Sequence, residues 1–257
     1  MTIIDSHIHC GVQNVDQPFD DIRPLLNRAG VASACLFAPV EDIYHRYSSS
    51  FDDNRQWRQC RDRAHAYLLE VAAAQTGVYP YYFVWNDFVR EDLEKPFAGI
   101  KWHHHPGEPP YRYEDSRCAE MIEAICRKKM PIVLEETFSR TLWFIQQVSG
   151  RTPVIIPHLG MLNGGFGRLL RSGVWEDESV YADTALAGSE EIEIFLERYG
   201  PSRLLFGSDY PFGMPGPQLQ QLKGIGIGEG DLKMICGGNI DGILRKKVTL
   251  PEMKSRG

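Results

Sequence analysis

The chain has 257 residues, 43% hydrophobic and 24% charged, with a formal net charge of −6. It is long enough to bury a substantial core, and its composition is that of a globular protein. A negative charge with no basic run longer than Arg245-Lys246-Lys247 argues against nucleic acid or anionic membrane as partners, and no apolar stretch approaches the roughly 18 residues of a membrane helix.

The first predicted element begins at Thr2-Ile3-Ile4 and carries His7 and His9. In a strand the side chains alternate, so both imidazoles share a face, where one cation could bridge them. Cys10 has the opposite parity. With the strand starting almost at once, no residues are left for a signal peptide. Six cysteines without Cys-x-x-Cys spacing read as reduced thiols, so a cytoplasmic protein is expected.

Short apolar runs follow at Val31–Phe37, Val78–Val84, Gly99–His103, Pro131–Glu135, Pro153–His158, Ser179–Asp183 and Leu204–Asp209. Helical periodicity separates several of them. Cys118, Met121, Ile122, Ile125 and Cys126 form one stripe. Ile192, Phe195, Leu196 and Tyr199 form another, with Ser189 as the expected N-cap and Gly200-Pro201 as the stop. The Val84–Gly99 connection is too short and proline-broken for a full helix. The polar and aromatic insertion Glu41–Arg61 is expected to cover one end of the fold. Gly224–Gly228 follows no strand and reads as loop.

Eight strands alternating with helices over one chain predict a single-domain (β/α)8 TIM barrel spanning residues 1–257. An open doubly wound sheet would carry a glycine-rich phosphate turn after its first strand, and none is present. Catalytic groups in such barrels sit at the C-terminal strand ends. Those ends are His7 and His9, then Lys101 and His103, then Glu135 and Glu136, His158, Asp183 and Asp209. Asp183 is read equally as a structural hydrogen-bonder. His104 and His105 are expected on the loop surface, and His45 and His65 as surface or helix residues. Arg112 is a candidate clamp for an anionic substrate or a solvated loop arginine.

With these motifs the chain resembles the amidohydrolase superfamily, particularly its amidohydrolase-2 branch of metal-dependent hydrolases and decarboxylases. The resemblance runs from Asp5 to about Leu244. It rests on Asp-x-His-x-His, Gly-Ile-Lys-x-His, the His158-Leu159-Gly160 segment, Gly207-Ser208-Asp209-Tyr210-Pro211 and the closing Ile235–Leu244 stretch. It implies that His7 and His9 bind a divalent ion, Zn²⁺ first and Mn²⁺ second. Asp209 would be both ligand and proton acceptor, and His158 a second ligand or the group that polarises the substrate. Imidazole and carboxylate suit such ions, which bring water towards neutral pKa.

Two positions depart from the family pattern. Relatives carry histidine at the end of the fifth strand, where this chain has Glu135, expected to face the interior as an oxygen ligand. If Glu136 were the inward residue, the register would be off by one. On the fourth strand, Lys101 is read as a cation holding a substrate carboxylate; its carboxylation to bridge two metals is the alternative. Lys101, His103 and Arg112 form the candidate substrate-binding set. The expected activity is a metal-dependent hydrolase using activated water on a small organic substrate. A nonoxidative decarboxylase, a metal-free lactonase and a catalytically inactive binding protein are the alternatives. Oligomeric state is open, a homo-oligomer included.

Overall fold

The structure, a computed structural model, describes residues 2–48 and 50–248. Eight parallel strands pair in sequence order: β1 (Ile4–His9), β2 (Ser33–Phe37), β3 (Val78–Phe83), β4 (Gly99–His103), β5 (Ile132–Glu135), β6 (Val154–Ile156), β7 (Val180–Asp183) and β8 (Leu204–Leu205). The circle is completed between β8 and β1 by irregular backbone bonds: Ser6 N to Phe206 O at 2.9 Å, Asp209 N to His7 O at 2.8 Å, and His9 N to Tyr210 O at 2.9 Å. This is a nearly closed TIM barrel, as the alternation of runs predicts.

The helices are α1 (Phe19–Ala29), α2 (Arg55–Ala74), α3 (Ser116–Arg127), α4 (Phe138–Val148), α5 (Phe166–Ser172), α6 (Ser189–Tyr199), α7 (Pro215–Gly224), α8 (Glu229–Lys233) and α9 (Asn239–Val248). The Val84–Gly99 connection contains only the short 3₁₀ turn Arg90–Glu94. Ser189 is the first residue of α6 rather than its cap, which falls on Gly188. The insertion is shorter than expected, because α2 already starts at Arg55, capped by Asn54. The remainder is pinned by buried Arg61, which binds Asp53, Asp87 and the Ile43 carbonyl.

Strand parity sorts two apolar layers. Ile4, Cys35, Phe37, Tyr81, Val133, Ile155 and Leu205 point inward, and Ile240, Ile243 and Leu244 of α9 plug the lower end. Ile8, Leu36, Ile100, Trp102, Ile132, Leu134, Val154 and Ile156 face the helices, with Cys10. In β1 the register shifts between Asp5 and Ile8. That irregularity lets Ile4 and His7, of opposite parity, both turn inward. Gly99 opens β4 because a Cβ there would stand 2.3 Å from the Tyr81 ring.

His65 is a helix residue, on α2, and not a surface one: it is buried, and its Nε2 accepts the Phe83 backbone N–H at 3.1 Å. Burial lowers its pKa from 6.5 to about 3. The unfolded chain therefore binds this proton more readily than the folded one. Its contribution is intact above pH 6.5 and is lost as pH falls towards 3, by up to about 1.4 kcal/mol per pH unit. His65→Gln should flatten that part of the acid-unfolding curve; an unchanged slope would show that His65 does not govern it.

Candidate metal centre and active site

The C-terminal ends of the strands converge on one buried polar cluster. His7 and His9 leave β1 with ring centroids 5.5 Å apart. Asp209 follows β8 in the left-handed region, at φ 56°. That φ is unfavourable for a residue with a Cβ. The carboxylate thereby reaches back over β1: Oδ1 lies 3.3 Å from His7 Nε2 and 3.2 Å from His9 Nε2. The three ligand atoms fall within 4.8 Å of one another.

The ring of His7 is fixed from behind. Its Nδ1 lies 2.9 Å from Asp183 Oδ2, which assigns the proton to Nδ1 and leaves the Nε2 lone pair facing the cluster. Burial and the nearby Lys101 charge hold its pKa well below the usual value, so the ring is neutral. Burial pushes Asp209 upward, but His7 and His9 outweigh it and keep the carboxyl below its ordinary pKa. A neutral, oriented imidazole, a second imidazole and an ionised carboxylate are a donor set that fits a first-row divalent ion.

His158 follows β6 in a turn where His158, Leu159 and Gly160 all have positive φ, at 56°, 49° and 82°. β6 therefore stops at Ile156, two residues short of the predicted end. Gly160 has no room for a side chain, since a Cβ would lie 2.0 Å from Leu169. The turn is held by Asp183 Oδ1, which accepts the His158 backbone N–H at 2.8 Å, and by the Ala185 carbonyl, 3.0 Å from Nδ1. Nε2 then faces Glu135 Oε2 at 3.5 Å and Asp209 Oδ2 at 4.0 Å. Burial lowers the His158 pKa, but the carboxylates of Glu135, Asp183 and Asp209 raise it to about 9.

Glu135 points into the barrel. Its Oε2 is 3.2 Å from Lys101 Nζ; its Oε1 meets His103 Nε2 at 3.1 Å and also His105 Nε2. Glu136 turns the other way, towards Tyr113, His104 and the Thr137 N–H. Glu135 is part of a second group able to hold an ion, with His7 and His158; a third group joins His103, His105 and Glu108.

A cavity of about 940 Å³ opens above the cluster, floored by His9, His158, Glu135 and Asp209 and walled by His103, His105 and the insertion residue Arg46. Three expectations change here. Lys101 is fully buried and outside the cavity lining, with its ammonium paired to Glu135 instead of open to a substrate carboxylate. Arg112 is exposed, as its solvated-loop reading has it, with its backbone N–H on Asn86; it lies outside the lining, so only its place in the substrate-binding set changes. His105, expected at the surface, bends inward because Glu108 accepts its backbone N–H at 2.9 Å. Arg46 and Glu108, paired at 2.6 Å, escaped the sequence reading because neither ends a strand. His45 is exposed, as expected.

A TIM barrel with His-x-His on its first strand and aspartate after its last defines the class as a barrel enzyme with a candidate metal centre. The chain belongs to the amidohydrolase family, whose model matches residues 4–245. No curated protein sequence matches it. Among solved structures it is similar to a 2,6-dihydroxybenzoate decarboxylase from Rhizobium, with TM-score 0.74 and 14% identity over 96% of this chain and 99% of that one. A dihydroxybenzoic acid decarboxylase from Polaromonas sp. JS666, with bound manganese and the inhibitor 2-nitroresorcinol, gives 0.71 and 14% over 97% and 99%. A candidate 2-pyrone-4,6-dicarboxylic acid hydrolase from Pseudomonas putida gives 0.70 and 16% over 97% and 99%. At these identities the likeness is one of fold. Among the described residues no helix is long and apolar enough to cross a membrane.

Asp183 holds both His7 and the His158 turn. Asp183→Asn should keep the barrel but weaken Zn²⁺ or Mn²⁺ binding about 10–100-fold, the usual effect of losing a partner that orients a ligand. Titration of chelator-treated protein checks this, and an unchanged affinity would remove Asp183 from the centre.

Proposed function

We propose that the protein is a metal-dependent hydrolase of a small organic molecule. The observation that carries the reading is a base and an acid facing each other on the cavity floor, with Asp209 Oδ2 4.0 Å from His158 Nε2. Asp209, held below its usual pKa, is a carboxylate near neutrality and can take a proton from an attacking water. His158, raised to about 9, keeps a charged N–H that can hold the oxygen on which negative charge develops. His7, His9 and Asp209 would hold the divalent ion, Zn²⁺ or Mn²⁺, which when bound supplies Lewis acidity to water and to a substrate oxygen. Six buried, unpaired cysteines fit a reducing compartment such as the cytoplasm.

A decarboxylase is the second reading, because an imidazolium at His158 can also deliver a proton to carbon as CO₂ leaves. Chelated protein, reloaded with Zn²⁺ or Mn²⁺, is to be assayed by mass spectrometry on cyclic esters and ring carboxylates. Addition of water that depends on the ion supports hydrolysis. Loss of CO₂ overturns it in favour of the second reading, and turnover undiminished by chelation removes the metal from both.

A further inference from the structure

The buried charge of Lys101 has no role in the chemistry above. Its side chain is completely enclosed, with Nζ 3.2 Å from Glu135 Oε2, 3.3 Å from His7 Nε2 and 5.1 Å from the centre of the Phe37 ring. These contacts place the ammonium within hydrogen-bond reach of two members of the His7–Glu135–His158 group, where its charge opposes the entry of a second metal ion. Glu135 is fully engaged as well. One oxygen serves Lys101 and faces His158, and the other serves His103 and His105. Such a carboxylate is satisfied by protein donors and has no free lone pair directed at the His7–His9–Asp209 group.

Charge leads to the same conclusion. Carboxylation would turn the lysine into an anion beside the carboxylate of Glu135, with Asp209 and Asp183 also close to His7. It would also add three heavy atoms to a side chain that is 0% exposed. Left as an ammonium, Lys101 instead neutralises Glu135 in the low-dielectric interior, where an unpaired carboxylate would be strongly disfavoured.

We propose that the Lys101 ammonium is itself the second cation of this centre. It stays paired with Glu135 and keeps a second ion out of the His7–Glu135–His158 group, while the single Nε2 lone pair of His7 is left to one divalent ion on His7, His9 and Asp209, and neither Lys101 nor Glu135 is a ligand to that ion. The inference rests on the reading of that group as an ion site.

The test is the stoichiometry and affinity of Zn²⁺ and Mn²⁺ on chelator-treated protein, measured by titration calorimetry and elemental analysis. Wild type should bind one equivalent, with the same affinity whether or not bicarbonate is present, and its intact mass should show no carbamate. Two equivalents, or binding that needs bicarbonate, would overturn the proposal. Lys101→Gln, which keeps a donor towards Glu135 but removes the charge, should bind the ion about tenfold tighter or more, because a nearby positive charge has been removed. The neutral double variant Lys101→Met/Glu135→Gln should retain one ion; loss of binding in it would make one of these residues a ligand and overturn the proposal. Should wild type bind no ion at all, the metal reading of the site falls, and Lys101→Gln then decides the inference separately. Capture of an ion by that variant supports the ammonium as the charge that keeps an ion out of the group, and failure to capture one overturns it.

Discussion

Asp209→Asn should lower turnover by roughly 10²-fold or more while leaving the fold and most of the bound ion in place. The asparagine keeps the size of the side chain and one oxygen towards His7 and His9, so the contacts at 3.3 and 3.2 Å can persist. What disappears is basicity, and with it the acceptor for the proton of the attacking water. A purely structural Asp209 would behave differently. It occupies a strained φ of 56°, a conformation asparagine tolerates as well as aspartate, so Asn would then leave activity unchanged. Turnover and thermal midpoint measured on one ion-loaded sample separate the two, and a fully active variant ends the proton-transfer role.

Glu135→Gln should be the most destabilising single substitution at the site, by about 3–5 kcal/mol, the usual effect of removing one partner of a buried ion pair. Lys101 is 0% exposed and has no other carboxylate partner at ion-pair distance among the described residues. The amide keeps one oxygen, which can serve Lys101 or the His103–His105 pair but not both, and in either case Lys101 is left without a countercharge. Adding Lys101→Met should restore much of the stability, because the double variant buries no charge at this pair. Denaturant unfolding of the single and double variants measures this. A single variant as stable as wild type would mean that water or another group already compensates Lys101.

Much of this architecture was legible in the sequence because the polar residues sit at the ends of short apolar runs, where a period of two fixes the face. His7 with His9, Lys101 with His103, and Glu135 against Glu136 all follow from parity. Depth along the barrel axis does not. Lys101 pairs in register with Phe83 and Val133, and His103 with Glu135. One pleat therefore separates an enclosed ammonium from a cavity wall, and that difference is set by the stagger of neighbouring strands. His105 lies beyond the strand end, so its direction depends on the capture of its N–H by Glu108. The early end of β6 comes with positive φ at His158, a feature for which the residue type gives only a weak signal, and directly after β8 the Phe206 N–H leaves the ladder for the Ile235 carbonyl. The burial of His65 does carry a signal, since it adjoins the Cys60, Ala64, Leu68 and Val71 stripe that α2 buries.

The seam between β1 and β8 also sets the order in which the protein can become functional. Ser208 N–H donates to Asp5 Oδ1 across a separation of 203 residues, at 3.0 Å, and the Asp209–His7 backbone bond lies beside it. A ribosome delivers the two histidines first and the aspartate only after the seven strands from β2 to β8. Until then the growing chain can offer an ion two imidazoles on an edge strand paired only to β2, but not the carboxylate. The entropy of closing so long a loop rises only logarithmically with length, so the separation weighs less on final stability than on folding time. Capture of the ion is thus tied to completion of the barrel, and a polypeptide truncated before Leu204 has no route to the full ligand set.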